Sequence, residues 1–210
     1  MADNNQSEVL IREVNEKMPI LLNWARISEE VALSEDFIRE FADKVNWVRI
    51  SKFQILSEDF IREFKNRVHW HSISVNQNLS ENFIREFRNR VNWASISICQ
   101  KLSENFIREF RDKVDWVFIC EYQKLSEDFI IEFANRVDWS EICKHQTLSE
   151  NFIRGYASKI HWRYISLHQN LSEDFIREFQ DRLFWSNISK NKKLKFSKTF
   201  IEEFKDKLYI

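Results

Sequence analysis

Phe37, Phe41 and Val45 recur every four residues, with Ile38 beside the first, while Arg39, Glu40, Asp43 and Lys44 occupy the positions between. An apolar stripe at that spacing, with charge on the opposite side, predicts an amphipathic helix. Ser34 stands where an N-cap is needed, and Glu35 and Asp36 fill the first turn, where the helix dipole favours acids. This predicted element, helix A, runs from Ser34 to Val45. Glu35–Arg39 and Glu40–Lys44 are i,i+4 pairs in the favourable order, each contributing about 0.3–0.5 kcal/mol. Asn46 then caps a second, shorter helix B from Trp47 to Phe53. Its repeated positions, Trp47, Ile50, Ser51 and Gln54, follow i, i+3, i+4, i+7 and predict an inward face. Neither helix is long enough to stand alone in water, so each must bury its face against a neighbour.

The same block of 23 residues recurs, with its leucines at Leu33, Leu56, Leu79, Leu102, Leu125, Leu148 and Leu171. All eight tryptophans (Trp24, Trp47, Trp70, Trp93, Trp116, Trp139, Trp162 and Trp185) hold one position of the block. A fixed period in this range is the signature of a stacked array. The predicted fold is therefore all-α: an α-solenoid of two-helix repeats, long A and short B, forming one domain over residues 1–210. Residues 1–32 read as an N-terminal cap, 33–193 as seven regular repeats and 194–210 as a C-terminal capping helix. This arrangement contains nine A and eight B helices and no strand.

Trp116 and its equivalents are expected to be mostly buried. Gln54 recurs as Gln77, Gln100, Gln123, Gln146 and Gln169, and a polar residue repeated in each layer is expected to tie layers together through backbone groups. Ser7 to Val14 is a degenerate helix A with Leu10 and Val14 in the phenylalanine slots. At the other end Ser197 to Leu208 is a last helix A, displaced by two inserted residues near Leu194–Phe196. It has no helix B after it, so Phe200, Phe204 and Leu208 are expected to be partly bare. Within the array Ile131 replaces the usual Arg, Gly155 the usual Glu and Tyr156 the usual Phe.

The string from Leu171 to Phe179, followed by Trp185 and Ile188-Ser189, resembles the short Trp-containing helical-hairpin repeats of proteins encoded by large DNA viruses of amoebae. The resemblance spans residues 24 to 204. It implies a repeat architecture, and a viral product acting in host cytoplasm or packaged in the virion. It carries no catalytic residues with it.

Composition sharpens this picture. With one Gly and one Pro in 210 residues, the chain lacks the turn residues that sheets and irregular loops need. A net charge of −1 supplies no bulk field for nucleic acid or an anionic membrane. No apolar run is long enough to span a bilayer, and Met1 to Glu8 lacks the apolar stretch of a signal peptide. Cys120 and Cys143 occupy a slot that holds Ser51, Ser74, Ser97, Ser166 and Ser189 in other blocks. Adjacent layers lie about 8–10 Å apart, too far for a disulfide. Cys99, Cys120 and Cys143 thus read as reduced thiols in a cytoplasmic setting.

Candidate chemistry is sparse. His69, His71, His145, His161 and His168 do not combine with cysteines or carboxylates into a metal set. Nearly all carboxylates have a base four positions away, the mark of a solvated helix face. One Gly cannot build a phosphate loop. No catalytic residue, metal or cofactor is expected, and the chain is not read as an enzyme.

Copies of the repeat can be compared with each other. The outward face of helix B varies most, at the two residues after Trp and at two more one turn on. Drift on a wet face would keep these positions polar. Instead they include Phe53, Val75, Ile98, Val117, Phe118, Tyr122, Tyr164 and Leu167, with Lys144 towards the rim. Exposed apolar side chains in a row mark a partner surface. The expected function is a non-enzymatic scaffold for protein–protein interaction, with a protein or peptide lying along this ribbon and Phe118 and Tyr122 as its central anchors. One alternative is a helical repeat that reads nucleic acid. Its arginine ladder, Arg39, Arg62, Arg85, Arg108, Arg154 and Arg177, is interleaved with acids, which argues against phosphate binding. Another is a structural or virion component that self-associates through its ends, the C-terminal helix in particular.

Overall fold

A computed structural model describes the backbone of residues 2–209 and the side chains of residues 6–209. The chain forms two compact units, Met1–Leu102 and Ser103–Ile210. The first holds α1 (Ala2–Lys17), a 3-10 turn (Pro19–Leu21), α2 (Trp24–Glu30), α3 (Glu35–Glu40), α4 (Trp47–Phe53), α5 (Glu58–Glu63), α6 (Trp70–Asn76), α7 (Glu81–Glu86) and α8 (Trp93–Cys99). The second holds α9 (Glu104–Glu109), α10 (Trp116–Tyr122), α11 (Glu127–Glu132), α12 (Trp139–His145), α13 (Glu150–Gly155), α14 (Trp162–His168), α15 (Glu173–Glu178), α16 (Trp185–Ile188) and α17 (Lys198–Glu203). Odd-numbered helices are A elements and even-numbered ones B. No strand occurs among the described residues. Within each unit the pairs pack on their neighbours in a solenoid-like array.

The A arm keeps its expected reach but not as continuous α-helix. Ser34 Oγ accepts from Phe37 N–H at 3.2 Å, and regular helix then ends at Glu40. Phe41, at φ −107° and ψ 28°, leaves helical geometry, and its carbonyl accepts from both Lys44 and Val45 to form a closing turn. The cause lies in helix B. A continued helix would bond Asn46 N–H to the Ala42 carbonyl. Instead the Trp47 indole N–H takes that carbonyl at 2.9 Å, and Asn46 N–H donates to Ser28 Oγ of the layer before, also at 2.9 Å.

The serine slot is therefore a relay rather than merely a small position. Ser51 Oγ donates to the Trp47 carbonyl and accepts from His69 N–H of the next layer. Cys120 and Cys143 replace it with thiols that accept from the backbone of Asp138 and His161. Small side chains here let successive B helices pack closely: α2 on α4, α4 on α6 and α6 on α8 in the first unit, α10 on α12, α12 on α14 and α14 on α16 in the second.

The glutamines do what their repetition suggested. Gln54 Oε1 accepts from Leu33 N–H at 2.9 Å, while Nε2 donates to the carbonyls of Ser28 and Val31. Gln77, Gln100, Gln146 and Gln169 repeat this three-way contact. The tryptophans are mostly buried, as expected, but none is fully enclosed. Within each unit the indoles lie against aromatic rings of the following A arm, as Trp116 does with Phe133 at 4.9 Å and Phe129 at 6.2 Å. The outer face is covered only by a basic side chain where one is in reach, such as Arg67 over Trp47 or Arg182 over Trp162.

On the A face, arginine–glutamate rungs cross between layers. Arg39 Nε donates to Glu63 at 2.8 Å, Arg62 to Glu86, Arg108 to Glu132 and Arg154 to Glu178, always 24 residues on. Ile131 and Gly155 are separated by the same 24 residues, so both ends of one rung are missing together. A Cβ on Gly155 would meet nothing within 4 Å. Ile131→Arg with Gly155→Glu is expected to raise stability by about 1–2 kcal/mol, about half of it from removing a helical glycine and the rest from the restored surface pair. Denaturant midpoints of the two single and the double variants would show it. A coupling indistinguishable from zero would mean that the rungs carry no stability.

The C-terminal expectation is overturned: Phe200, Phe204 and Leu208 are all buried. The phenylalanines of this last arm are covered without a following layer. Arg177 lies over Phe200 at 5.1 Å, Trp185 packs on Phe204 at 4.8 Å, and Phe196, in the leucine slot just before Ser197, stacks on Phe200 at 4.9 Å. Only Ile201 is partly uncovered, where its counterparts from Ile38 to Ile176 are fully buried. Leu10, in the Phe200 slot of the first layer, is 60% exposed. Ile210, the end of the predicted capping segment, lies outside the described residues.

Candidate interaction surface

Helix B presents its outer face because Ile50, Ser51 and their equivalents hold the inner one. In the first unit Phe53 and Val75 are exposed, and Lys52 Nζ sits 4.8 Å over the Phe53 ring. Ile98 is half-buried. In the second unit Val117 and Tyr122 are exposed, Tyr122 at 52%. Phe118, Lys144, Tyr164 and Leu167 are half-buried. Phe118 is therefore a partly covered neighbour of Tyr122, 6.3 Å away, rather than an outward anchor.

Within the units the second residue after Trp reaches the preceding layer: Arg49 pairs with Glu29, Ser95 Oγ lies 3.5 Å from His71 Nδ1, and Asn187 Nδ2 donates to the Arg163 carbonyl. Ser72 and Ser95 are buried there outright. Asn191 also leaves the ribbon. The insertion shortens α16, and Asn191 turns inward to take the glutamine role, donating to the carbonyls of Ser166 and Gln169. One signal for this was available, since the true glutamine position holds Lys192.

In the second unit the surface combines apolar and charged groups. Glu141 pairs with Lys144 at 2.7 Å and His145 at 3.3 Å, and Lys144 Nζ lies 4.6 Å over the Tyr164 ring. Beside Tyr122 a cleft of about 370 Å³ opens between successive layers, lined among others by Glu121, Lys124, His145 and Thr147. It is large enough for a side chain or two of a bound peptide and is wholly made of B-helix ends and the links after them.

The A face offers the opposite picture. Arg39 bonds Asp36 and Glu63 and lies near Glu35, and Arg62, Arg108 and Arg177 repeat the pattern with their own neighbours. These guanidiniums are held by carboxylates on the same face.

Burial pushes the Cys120 thiol up to about 12 and that of Cys143 to about 11, so neither is a nucleophile at neutral pH. No group of three or more metal-ligating side chains gathers among the described residues. No described helix is long and apolar enough to cross a membrane. Family models, curated proteins and solved structures give no match to this chain.

Proposed function

We propose that this chain is a non-enzymatic scaffold whose outer helix B face binds a protein or peptide partner. One observation carries the reading. The positions that differ most between copies are those where Phe53, Val75, Val117 and Tyr122 stand exposed, whereas side chains that build the layers scarcely change. Exposed apolar groups on an otherwise charged surface favour a partner that covers them. Nucleic acid is disfavoured because the arginine ladder is already neutralised by its own rungs. Stacking of copies through the C-terminal helix is disfavoured too. The last arm has Lys198 where other arms carry the glutamate that accepts the next serine N–H, and Glu202 where they carry the arginine of the rung. The resemblance to viral repeats supports action in host cytoplasm or in the virion.

Random-peptide display on the immobilised chain tests the surface. Val117→Ser with Tyr122→Ser is expected to weaken capture of selected peptides about tenfold, the scale of losing a small interface anchor. Both side chains are exposed, so melting should shift little. Arg108→Ala with Lys113→Ala should change capture less than about twofold. The reverse ranking would move the site to the A face and replace this reading with an anionic partner.

A further inference from the structure

The segment after Asp181 stands out by its density of cations without acids. No acidic residue occurs again until Glu202, while Lys190, Lys192, Lys193, Lys195 and Lys198 all fall in between. All five are exposed. None of them is within ion-pair distance, 4.0 Å, of a described carboxylate. This cluster coincides with the insertion that breaks the repeat, and the inserted loop is built rather than trailing. Asn191 clamps it to the carbonyls of Ser166 and Gln169, and its Oδ1 accepts from Lys193 N–H. Lys193 Nζ in turn donates to the His168 carbonyl at 2.5 Å.

The loop thereby joins the B face of the two layers before it. Lys144 Nζ lies over the Tyr164 ring, Tyr164 is 6.3 Å from His168, and Lys193 Nζ holds the His168 carbonyl, so the two lysines share one neighbourhood on this face; burial first, and then these neighbours, hold His168 below its ordinary range. Glu141 on that face is already engaged with Lys144 and His145.

We propose that this lysine loop, continued by Lys144, binds an acidic peptide segment of the partner that lies along the helix B face. The inference rests on the scaffold reading above and deepens it by giving the bound chain a polarity: acidic residues at the last layers, apolar residues towards Val117 and Tyr122. Its extent selects a peptide over a polynucleotide. Lys190 to Lys195 span at most about 18 Å of chain. A longer polyanion would run onto Glu121 and Glu141 on one side and Glu202 and Glu203 on the other. The lysines are point charges without the bidentate forks that favour phosphate. The loop's only aliphatic residue, Leu194, is half-buried, leaving no apolar wedge for a membrane.

Fluorescence anisotropy with a labelled oligoglutamate peptide at low salt is the test. The intact chain should bind it, and changing Lys190, Lys192, Lys193 and Lys195 to Gln should weaken binding at least about tenfold, with affinity falling as salt rises. A charge-matched control, Lys17, Lys65, Arg88 and Lys101 to Gln, should change it less than about twofold. No binding by the intact chain, or equal losses in both variants, overturns the proposal. So does tighter lysine-dependent binding of an oligothymidylate or of phosphatidylserine vesicles, which would reassign the loop to nucleic acid or membrane. A second peptide, with leucines and tryptophans preceding the glutamates, separates the two readings. If its extra affinity survives Val117→Ser with Tyr122→Ser while both peptides need the lysines, the loop stands and the ribbon fails. If oligoglutamate does not bind, the loop fails and the ribbon is judged by its own selection.

Discussion

Gln146→Leu is expected to destabilise the second unit by about 3–5 kcal/mol, although leucine nearly matches glutamine in volume. The amide makes three buried contacts at once. Its Oε1 accepts from Leu125 N–H at 3.0 Å, and its Nε2 donates to the carbonyls of Cys120 and Gln123 at 2.7 and 2.8 Å. A leucine there would leave one donor and two acceptors in a site closed to water. Each orphaned buried group costs about 1–3 kcal/mol, and partial relaxation keeps the total below the full sum. Because each glutamine ties the end of one helix B to the start of the next arm, the loss should spread to adjacent layers. Urea midpoints would measure it, and amide exchange at Leu125 should quicken. A loss of less than about 1 kcal/mol would show that water replaces the amide and that these contacts are not what holds the layers in register.

The array could be read from the chain because its local signals agree. Ser34 and Asn46 cap where the structure uses them, helix B begins at Trp47 and ends at Phe53 as its periodicity implies, and the repeated glutamine marks a repeated hydrogen-bond site. The misreadings concern which neighbour supplies a contact. Periodicity carried helix A through Val45, because Phe41 and Val45 do face the core. It could not show that Trp47 and Ser28 would take the bonds a continuous helix needs. An unpaired last arm looked bare because covering was assumed to come from the following helix B. In fact Arg177 and Trp185 cover it from the preceding layer, and Phe196 of its own arm closes the rest. The joint loss of Ile131's arginine and Gly155's glutamate was visible as two oddities, but pairing them requires knowing that residues 24 apart face each other. On the candidate surface the variable slots were found, yet only some of them are outward. Tyr164 looks as open as Tyr122 on a helical wheel, and Lys144 of the preceding layer is what half-covers it.

That difference between a wheel and a stack leads to an ordering of core losses that residue size alone would invert. Phe129→Ala should cost about 3–5 kcal/mol, whereas Trp116→Ala, which removes a larger side chain, should cost about 2–3 kcal/mol. Phe129 is fully enclosed: Phe133 lies 4.8 Å away, Trp116 6.2 Å away and the Arg108 guanidinium 5.0 Å over its ring. Truncation there leaves a cavity with walls on every side that cannot easily collapse. Trp116 is not fully enclosed. Its truncation opens a notch that water can enter, so the penalty is the lost stacking on Phe133 and the lost indole bond to the Arg111 carbonyl at 2.9 Å. Trp116→Phe should recover most of the stacking while leaving that carbonyl to solvent, and so cost only about 1 kcal/mol. Chemical denaturation of the three variants would establish the ranking. Trp116→Ala exceeding Phe129→Ala would mean that the tryptophan column, not the phenylalanine column, is the axis on which the layers are built.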